Sequence, residues 1–103
     1  MDDLAKRERI ASLFEIYSSL LSSSQKETLE DYYVYDLSLA EIATNRNSSR
    51  SAVEDALKKG EKKLLELEDK LKIKLRTDSL KNLLEEAKNS GDYTKLEDYI
   101  NGI

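Results

Sequence analysis

Cysteine, histidine, proline and tryptophan are all absent from this chain of 103 residues, and glycine occurs only three times. Without cysteine there can be neither disulfide bonds nor thiolate metal sites. Without histidine the chain also lacks the commonest general base and the commonest zinc ligand. We therefore expect no catalytic residues, no metal and no cofactor, and we do not expect an enzyme.

Long apolar runs are missing as well, and the first residues are acidic rather than basic. The chain begins with the acidic segment Met1-Asp2-Asp3-Leu4, which does not resemble the basic start of a signal peptide. No segment approaches the roughly 20 consecutive apolar residues that a membrane-spanning helix needs. We expect a cytoplasmic protein that does not insert into membranes.

The residues that are present favour helix. Leu, Lys, Glu, Ala and Ser dominate, and straight side chains such as those of Leu, Lys and Glu lose little rotamer freedom in a helix. The length suits one domain, so the predicted fold is all-α, a small helical bundle over residues 1–103. The formal net charge is −4, which argues mildly against tight non-specific DNA binding.

The amino-terminal half predicts two helices. Apolar residues recur at steps of three and four from Leu4 to Leu21, the pattern of an amphipathic helix. Ser24 is the expected N-cap of the second helix, with Glu27 at the capping-box position. We expect this second helix to end near Asp36.

A helix-turn-helix is predicted over about residues 38–60. Ser38 opens a short helix with Glu41 three residues later, residues 45–47 form a turn, and Ser49 caps a helix that begins at Arg50. We expect the two helices to pack through a shared set of small and apolar side chains: Ile42, Ala43, Val53 and Leu57. That packing would leave the first turns of the second helix free for the major groove of double-stranded DNA.

The candidate DNA-binding residues lie on those turns, and they are Ser49, Arg50, Ser51, Glu54, Lys58, Lys59 and Lys62. Backbone amides at Ser49 would hold a phosphate, Arg50 would reach guanine or a phosphate, and the lysines would follow the backbone. Between Arg46 and Lys63 six basic and three acidic residues give a local excess of +3. Carboxylates at Glu54 and Asp55 oppose this interpretation, because phosphates repel them.

The helix after the turn is predicted to run to about Arg76 as the long C-terminal helix of the motif. Its leucines recur at alternating steps and form a coiled-coil-like seam of Leu57, Leu64, Leu67 and Leu71. Two uses of the seam remain open, packing against the first helix or contact between the subunits of a homodimer. A C-terminal helical extension over about residues 77–103 follows, capped by Thr77 or Asp78, ended by Gly91, and completed by a last helix from Thr94 to Ile100.

The motif resembles the helix-turn-helix of sigma factor region 4, in residues 39–43, 47–53 and 57–64. With the amino-terminal half included, the chain is similar to the YlxM-like family of bacterial helix-turn-helix proteins, and the likeness is specific over about residues 10–65. The segments that carry it are Leu13–Tyr17, Leu20-Leu21, Gln25-Lys26, Tyr32-Tyr33, Ser38–Ala43 and Ser49–Val53.

The resemblance implies an all-helical, dimerising protein encoded beside components of the signal recognition particle. The chain departs from the family at Ser48, usually apolar, at Glu54, usually aromatic, and at Gly60. We expect Gly60 to interrupt the long helix, at a cost of about 1 kcal/mol relative to alanine.

Two functions remain open. The first is a DNA-binding regulator that takes part in the protein-targeting pathway of the signal recognition particle. The second is an interaction protein without DNA affinity, which contacts a component of that particle or its receptor. A positive patch around Arg50 and Lys58 would favour the first, whereas its neutralisation by Glu54 and Asp55 would favour the second.

Overall fold

The computed structural model describes residues 2–102, and these contain helices and no β-strand, which confirms the all-α class. Met1, the first residue of the acidic start, and Ile103, the end of the predicted extension, lie outside the described residues. None of the described helices has the length and apolar content needed to cross a membrane. The six α-helices are α1 (Asp2–Tyr17), α2 (Ser23–Leu29), α3 (Leu39–Asn45), α4 (Arg50–Leu71), α5 (Ile73–Ser90) and α6 (Thr94–Asn101).

Two short turns complete the helical set. A 3₁₀ turn (Ser18–Leu20) extends α1, and a π-helical turn (Glu30–Val34) extends α2. By its internal contacts the chain divides into two compact units, Met1–Leu71 and Lys72–Ile103. The first unit holds α1 to α4 with the helix-turn-helix, and the second holds α5 and α6. That residues 1–103 act as one domain stays a prediction.

The core of the first unit joins α1, α2 and α4. Its buried side chains are Ile10, Leu13, Phe14, Tyr17, Leu29, Leu57 and Leu64. Leu67 packs against this cluster, whereas Leu71 is 40% exposed. Most of the predicted leucine seam is therefore used within the chain, and the homodimer stays a prediction.

Helix α2 begins two residues earlier than predicted. Ser22, not Ser24, is the N-cap, and its hydroxyl accepts a hydrogen bond from the Gln25 backbone N–H at 3.2 Å. The Gln25 side chain accepts the Ser22 N–H at 3.3 Å, which closes the capping box. Three consecutive serines offer three possible caps, and the one that follows Leu21, which packs on the core, is used.

Gly60 does not interrupt α4, so that expectation was wrong. The glycine is buried, and a Cβ built on it would lie 2.8 Å from Leu29 Cδ1 and 3.2 Å from Leu29 Cγ. Such distances are too short for ordinary van der Waals contact. Glycine at this position is what lets α2 lie close against α4.

Helix α4 ends at Leu71 rather than near Arg76. Lys72 adopts a left-handed backbone with φ 55°, and α5 begins at the next residue. Thr77 and Asp78 therefore lie inside α5 and do not cap it. The leucine pattern does not reveal the break, because lysine is a good helix former and its left-handed conformation costs about 1–2 kcal/mol.

The second unit is a pair of packed helices. Gly91 ends α5 with φ 78° and donates its N–H to the Ala87 carbonyl at 2.8 Å, as predicted. Helix α6 covers the predicted last helix. The Tyr99 hydroxyl donates to the Arg76 carbonyl at 3.3 Å and joins α6 to α5.

Candidate nucleic-acid interface

The predicted caps of the helix-turn-helix are present. The Ser38 hydroxyl accepts from the Glu41 backbone N–H at 3.1 Å, and the Glu41 carboxylate accepts from the Ser38 N–H at 2.8 Å. The hydrogen bond from the Ser38 backbone holds the pKa of Glu41 below its usual value. At α4, the Ser49 hydroxyl accepts from the Ala52 N–H at 3.1 Å.

The turn between α3 and α4 is tight. Arg46 ends α3 and donates its backbone N–H to the Ile42 carbonyl at 3.0 Å. Asn47 takes a left-handed conformation with φ 53°, which asparagine adopts more readily than most residues. The Ser48 N–H then returns to the Ala43 carbonyl at 2.9 Å, and the chain turns into α4.

The apolar contact between the two helices forms a small cluster of its own. Ile42, Ala43 and Val53 are buried together, with Tyr32, Leu37 and Leu39 around them. Leu57, which was predicted to join this contact, lies in the larger core instead. The N-terminal turns of α4 are thus fixed by packing on one side only.

The side chains predicted to meet DNA lie on the free side of α4. Ser49, Arg50 and Ser51 are exposed on the first turn, and Lys58, Lys59 and Lys62 are exposed further along. By helical spacing, Ser51 and Lys62 share the face opposite Val53. Glu54 is half-buried, at the edge of that surface.

Two ion pairs along α4 offset part of its positive charge. Lys58 Nζ lies 3.2 Å from Glu54 Oε1, and Lys59 Nζ lies 3.0 Å from Asp55 Oδ2. Each exposed pair of this kind contributes only about 0.3–0.5 kcal/mol, so a phosphate can compete for the lysine. Of the six basic residues between Arg46 and Lys63, three form no ion pair within residues 2–102, and they are Arg50, Lys62 and Lys63.

Arg46 does not belong to this exposed set, although the count of basic residues included it. Its Nη1 donates to Thr28 Oγ1 at 2.6 Å and its Nη2 donates to Asp31 Oδ2 at 3.1 Å. The sequence pattern gave no signal for this contact, because the two acceptors are distant along the chain. Thr28 on α2 is 18 residues from Arg46, and Asp31 on the π turn is 15 residues from it.

A cleft of about 490 Å³ lies beside the motif, between α1, the π turn and α4. Within it the Arg7 guanidinium lies 4.8 Å from the Tyr32 ring centroid and 5.0 Å from that of Tyr33. The Tyr33 hydroxyl donates to Glu61, and burial together with this bond raises the pKa of Tyr33 above its usual range. These contacts join the π turn to α1 on one side and to α4 on the other. No buried side-chain polar atom among the described residues lacks a hydrogen-bond partner.

Comparison with known proteins gives one consistent result. Residues 4–101 match the model of the UPF0122 family, described as "Putative helix-turn-helix protein, YlxM / p13 like". A UPF0122 protein of Fusobacterium nucleatum is 50% identical over 86 residues, which cover 84% of this chain and 82% of the relative. One from Clostridium kluyveri is 39% identical over 101 residues, covering 97% and 82%. One from Malacoplasma penetrans is 40% identical over 82 residues, covering 80% and 77%.

Proposed function

The chain belongs to the UPF0122 family of helix-turn-helix proteins similar to YlxM and p13, and from this premise we propose that it is a regulator that binds double-stranded DNA through α4. The observation that carries the proposal is the exposed first turn of α4, capped by Ser49 and bearing Arg50 and Ser51. A helix presented in this way, with α3 packed behind it, suits the major groove. The backbone amides of Arg50 and Ser51, which precede the amides that Ser49 accepts, suit a phosphate.

The number of free cations sets how strongly DNA is bound. Each phosphate neutralised by Lys or Arg lowers the slope of log affinity against log salt by about 0.9. With only the unpaired Arg50, Lys62 and Lys63 as contacts, the expected slope is about −3. When phosphates also take Lys58 and Lys59 from their ion pairs, the slope steepens to about −4.5. The protein therefore binds DNA moderately at low salt and weakly at physiological salt, unless a specific sequence adds contacts to the bases.

The pathway, the location and the oligomeric state belong to the same proposal. The resemblance to YlxM-like proteins supports a role beside the signal recognition particle, in the cytoplasm. The same resemblance supports a homodimer. In a homodimer, two copies of the motif would contact two half-sites on DNA. In such a dimer Leu57 and Leu64 stay in the core of each chain, and exposed residues such as Leu65 and Leu71 are available for the contact.

A second candidate function follows from the ion pairs on α4. Glu54 and Asp55 place two carboxylates among the lysines that would meet phosphates. This favours an accessory factor without DNA affinity, which contacts a component of the signal recognition particle or its receptor through the mixed-charge surface of α4. The two candidates make opposite predictions for a DNA titration.

The test is fluorescence anisotropy of a labelled random duplex, titrated with the protein at low and at physiological salt. The variant is Arg50→Glu, and the matched control is Arg9→Glu, which makes the same charge change at an exposed residue of α1. We expect Arg50→Glu to weaken binding at least about tenfold and to reduce the salt slope by about 1, with little change for Arg9→Glu.

Three results would count against DNA binding by α4. Equal weakening by both variants would mean that only the overall charge matters. Full affinity in Arg50→Glu would remove the first turn of α4 from the interface. No binding at either salt would reject the first candidate, and titration against the signal recognition particle and its receptor would then test the second.

A further inference from the structure

We infer that Arg46 is a positioning residue, which fixes the N-terminal end of α4 by tying the turn of the motif to α2. The inference rests on the proposed function, because it assigns to Arg46 a role in DNA binding without contact to DNA. From sequence alone a basic residue in this turn would be assigned to a phosphate. The hydrogen bonds of Arg46 lead instead to α2 and its π turn.

Both terminal nitrogens of the Arg46 guanidinium donate hydrogen bonds to other residues of the protein. One donates to Thr28 Oγ1 at 2.6 Å and the other to Asp31 Oδ2 at 3.1 Å. Thr28 is fully buried and gives its own proton to the Ser24 carbonyl at 2.8 Å, so its oxygen is free to accept from arginine. Only 25% of the Arg46 side chain and 27% of the Asp31 side chain are exposed.

The position of Arg46 in the chain carries this constraint to α4. Only Asn47 and Ser48 separate Arg46 from Ser49, the cap of α4. The backbone of these two residues has a fixed conformation. Asn47 is left-handed and the Ser48 N–H is bonded to the Ala43 carbonyl. A displacement of Arg46 therefore moves Ser49 and the first turn of α4, where Arg50 begins the helix.

A second contact between α2 and α4 lies further along. Leu29 of α2 lies against Gly60, and this close approach fixes the middle of α4. Arg46 thus holds the turn that leads into α4, and Gly60 holds the middle of α4, both against the segment formed by α2 and its π turn. Loss of the Arg46 contact would leave the middle of α4 in place, and its N-terminal end would then be held only by the packing of Val53 on Ile42 and Ala43.

The first test is the pair Asp31→Asn and Glu27→Gln, which remove the same charge from the α2 segment. Glu27 is exposed and forms no ion pair among the described residues, so its variant is the control. Electrostatics alone predicts that both variants bind DNA slightly more tightly than the wild type. Positioning predicts that Asp31→Asn binds several-fold more weakly while Glu27→Gln does not.

The second test uses Arg46→Lys, which keeps the charge but cannot reach both acceptors with a planar fork. We expect several-fold weaker DNA binding with an unchanged salt slope. In the free protein, we expect amide hydrogen exchange to accelerate at Ala52 and Val53, whose N–H groups bond to Ser49, and not at Leu64.

The exchange measurement separates this inference from the proposed function. Faster exchange at Ala52 and Val53 in a protein that binds no DNA would reject DNA binding and support positioning by Arg46. Faster exchange at Leu64 as well would show a general loss of stability and overturn the inference. A third variant, Arg46→Gln, removes the charge as well, and positioning predicts an unchanged salt slope for it. A slope reduced by about 1 in this variant, with exchange unchanged, would make Arg46 a phosphate contact, which also overturns the inference.

Discussion

Replacement of Gly60 by alanine tests the packing of α4 most directly, because two opposing effects meet at this residue. Alanine in the middle of a helix is favoured over glycine by about 1 kcal/mol. Against this, the added Cβ would lie 2.8 Å from Leu29 Cδ1, a distance that real Cβ atoms almost never show. The sign of the net change depends on whether Leu29 can move.

Leu29 has little room to move. Its side chain is fully buried. The added Cβ would be close to two of its atoms, Cδ1 at 2.8 Å and Cγ at 3.2 Å. Overpacking of a core costs about 1–3 kcal/mol. We therefore expect Gly60→Ala to lower the free energy of unfolding by about 1 kcal/mol, after the gain in helix propensity is subtracted.

Urea unfolding followed by circular dichroism measures this difference, and a double-mutant cycle with Leu29→Ala isolates its cause. Leu29→Ala alone costs about 2–5 kcal/mol, because it removes a buried leucine. In that background the clash is gone, and Gly60→Ala should become neutral or stabilising. The coupling energy between the two changes should be about 1–2 kcal/mol.

One result would refute the reasoning. If Gly60→Ala alone raises the free energy of unfolding by the full ~1 kcal/mol of helix propensity, then α2 does not approach α4 as closely as described. A loss of stability that persists unchanged in the Leu29→Ala background would also refute it, because the cost would then come from another contact.

Two further predictions concern the caps of the motif. Ser49→Ala should lower the free energy of unfolding by about 1 kcal/mol, because the Ala52 N–H loses its acceptor; Ser51→Ala, at an exposed residue of the same turn, serves as the control in the same urea titration. The folded-state pKa of Glu41 lies below its usual value, so its carboxylate stabilises the fold above the unfolded pKa of about 4.5 and loses this effect as the pH falls through the folded pKa. The stability difference between wild type and Glu41→Gln should therefore shrink between about pH 6 and pH 3, and a difference that stays constant would contradict the assigned hydrogen bond.

The features that sequence predicted best are those whose partners lie close along the chain. Ser38 and Glu41 are three residues apart, as are Ser49 and Ala52, so a spacing rule suffices to find each cap. The exposure of Arg50 and Ser51 follows in the same way from the apolar period of α4. Whether these residues meet DNA stays a prediction.

The features that sequence missed depend on contacts between distant segments. Gly60 is indistinguishable from a helix-weakening glycine until Leu29 is placed against it. Arg46 has the appearance of a free cation until Thr28 and Asp31 are brought beside it. Lys72 breaks a helix at a residue whose own preference is for helix, and no local pattern marks the break.

In the π turn after α2 (Glu30–Val34), the number of residues is more strongly constrained than their identity. The Tyr35 N–H donates to the Glu30 carbonyl five residues back, as in a π-helix. Three successive residues of this turn each contact a different part of the first unit. Asp31 holds Arg46, Tyr32 lies under Arg7, and Tyr33 bonds to Glu61. Deletion of one residue would rotate the rest by about 100° and break these contacts together. In evolution, this segment should therefore accept substitutions far more often than insertions or deletions.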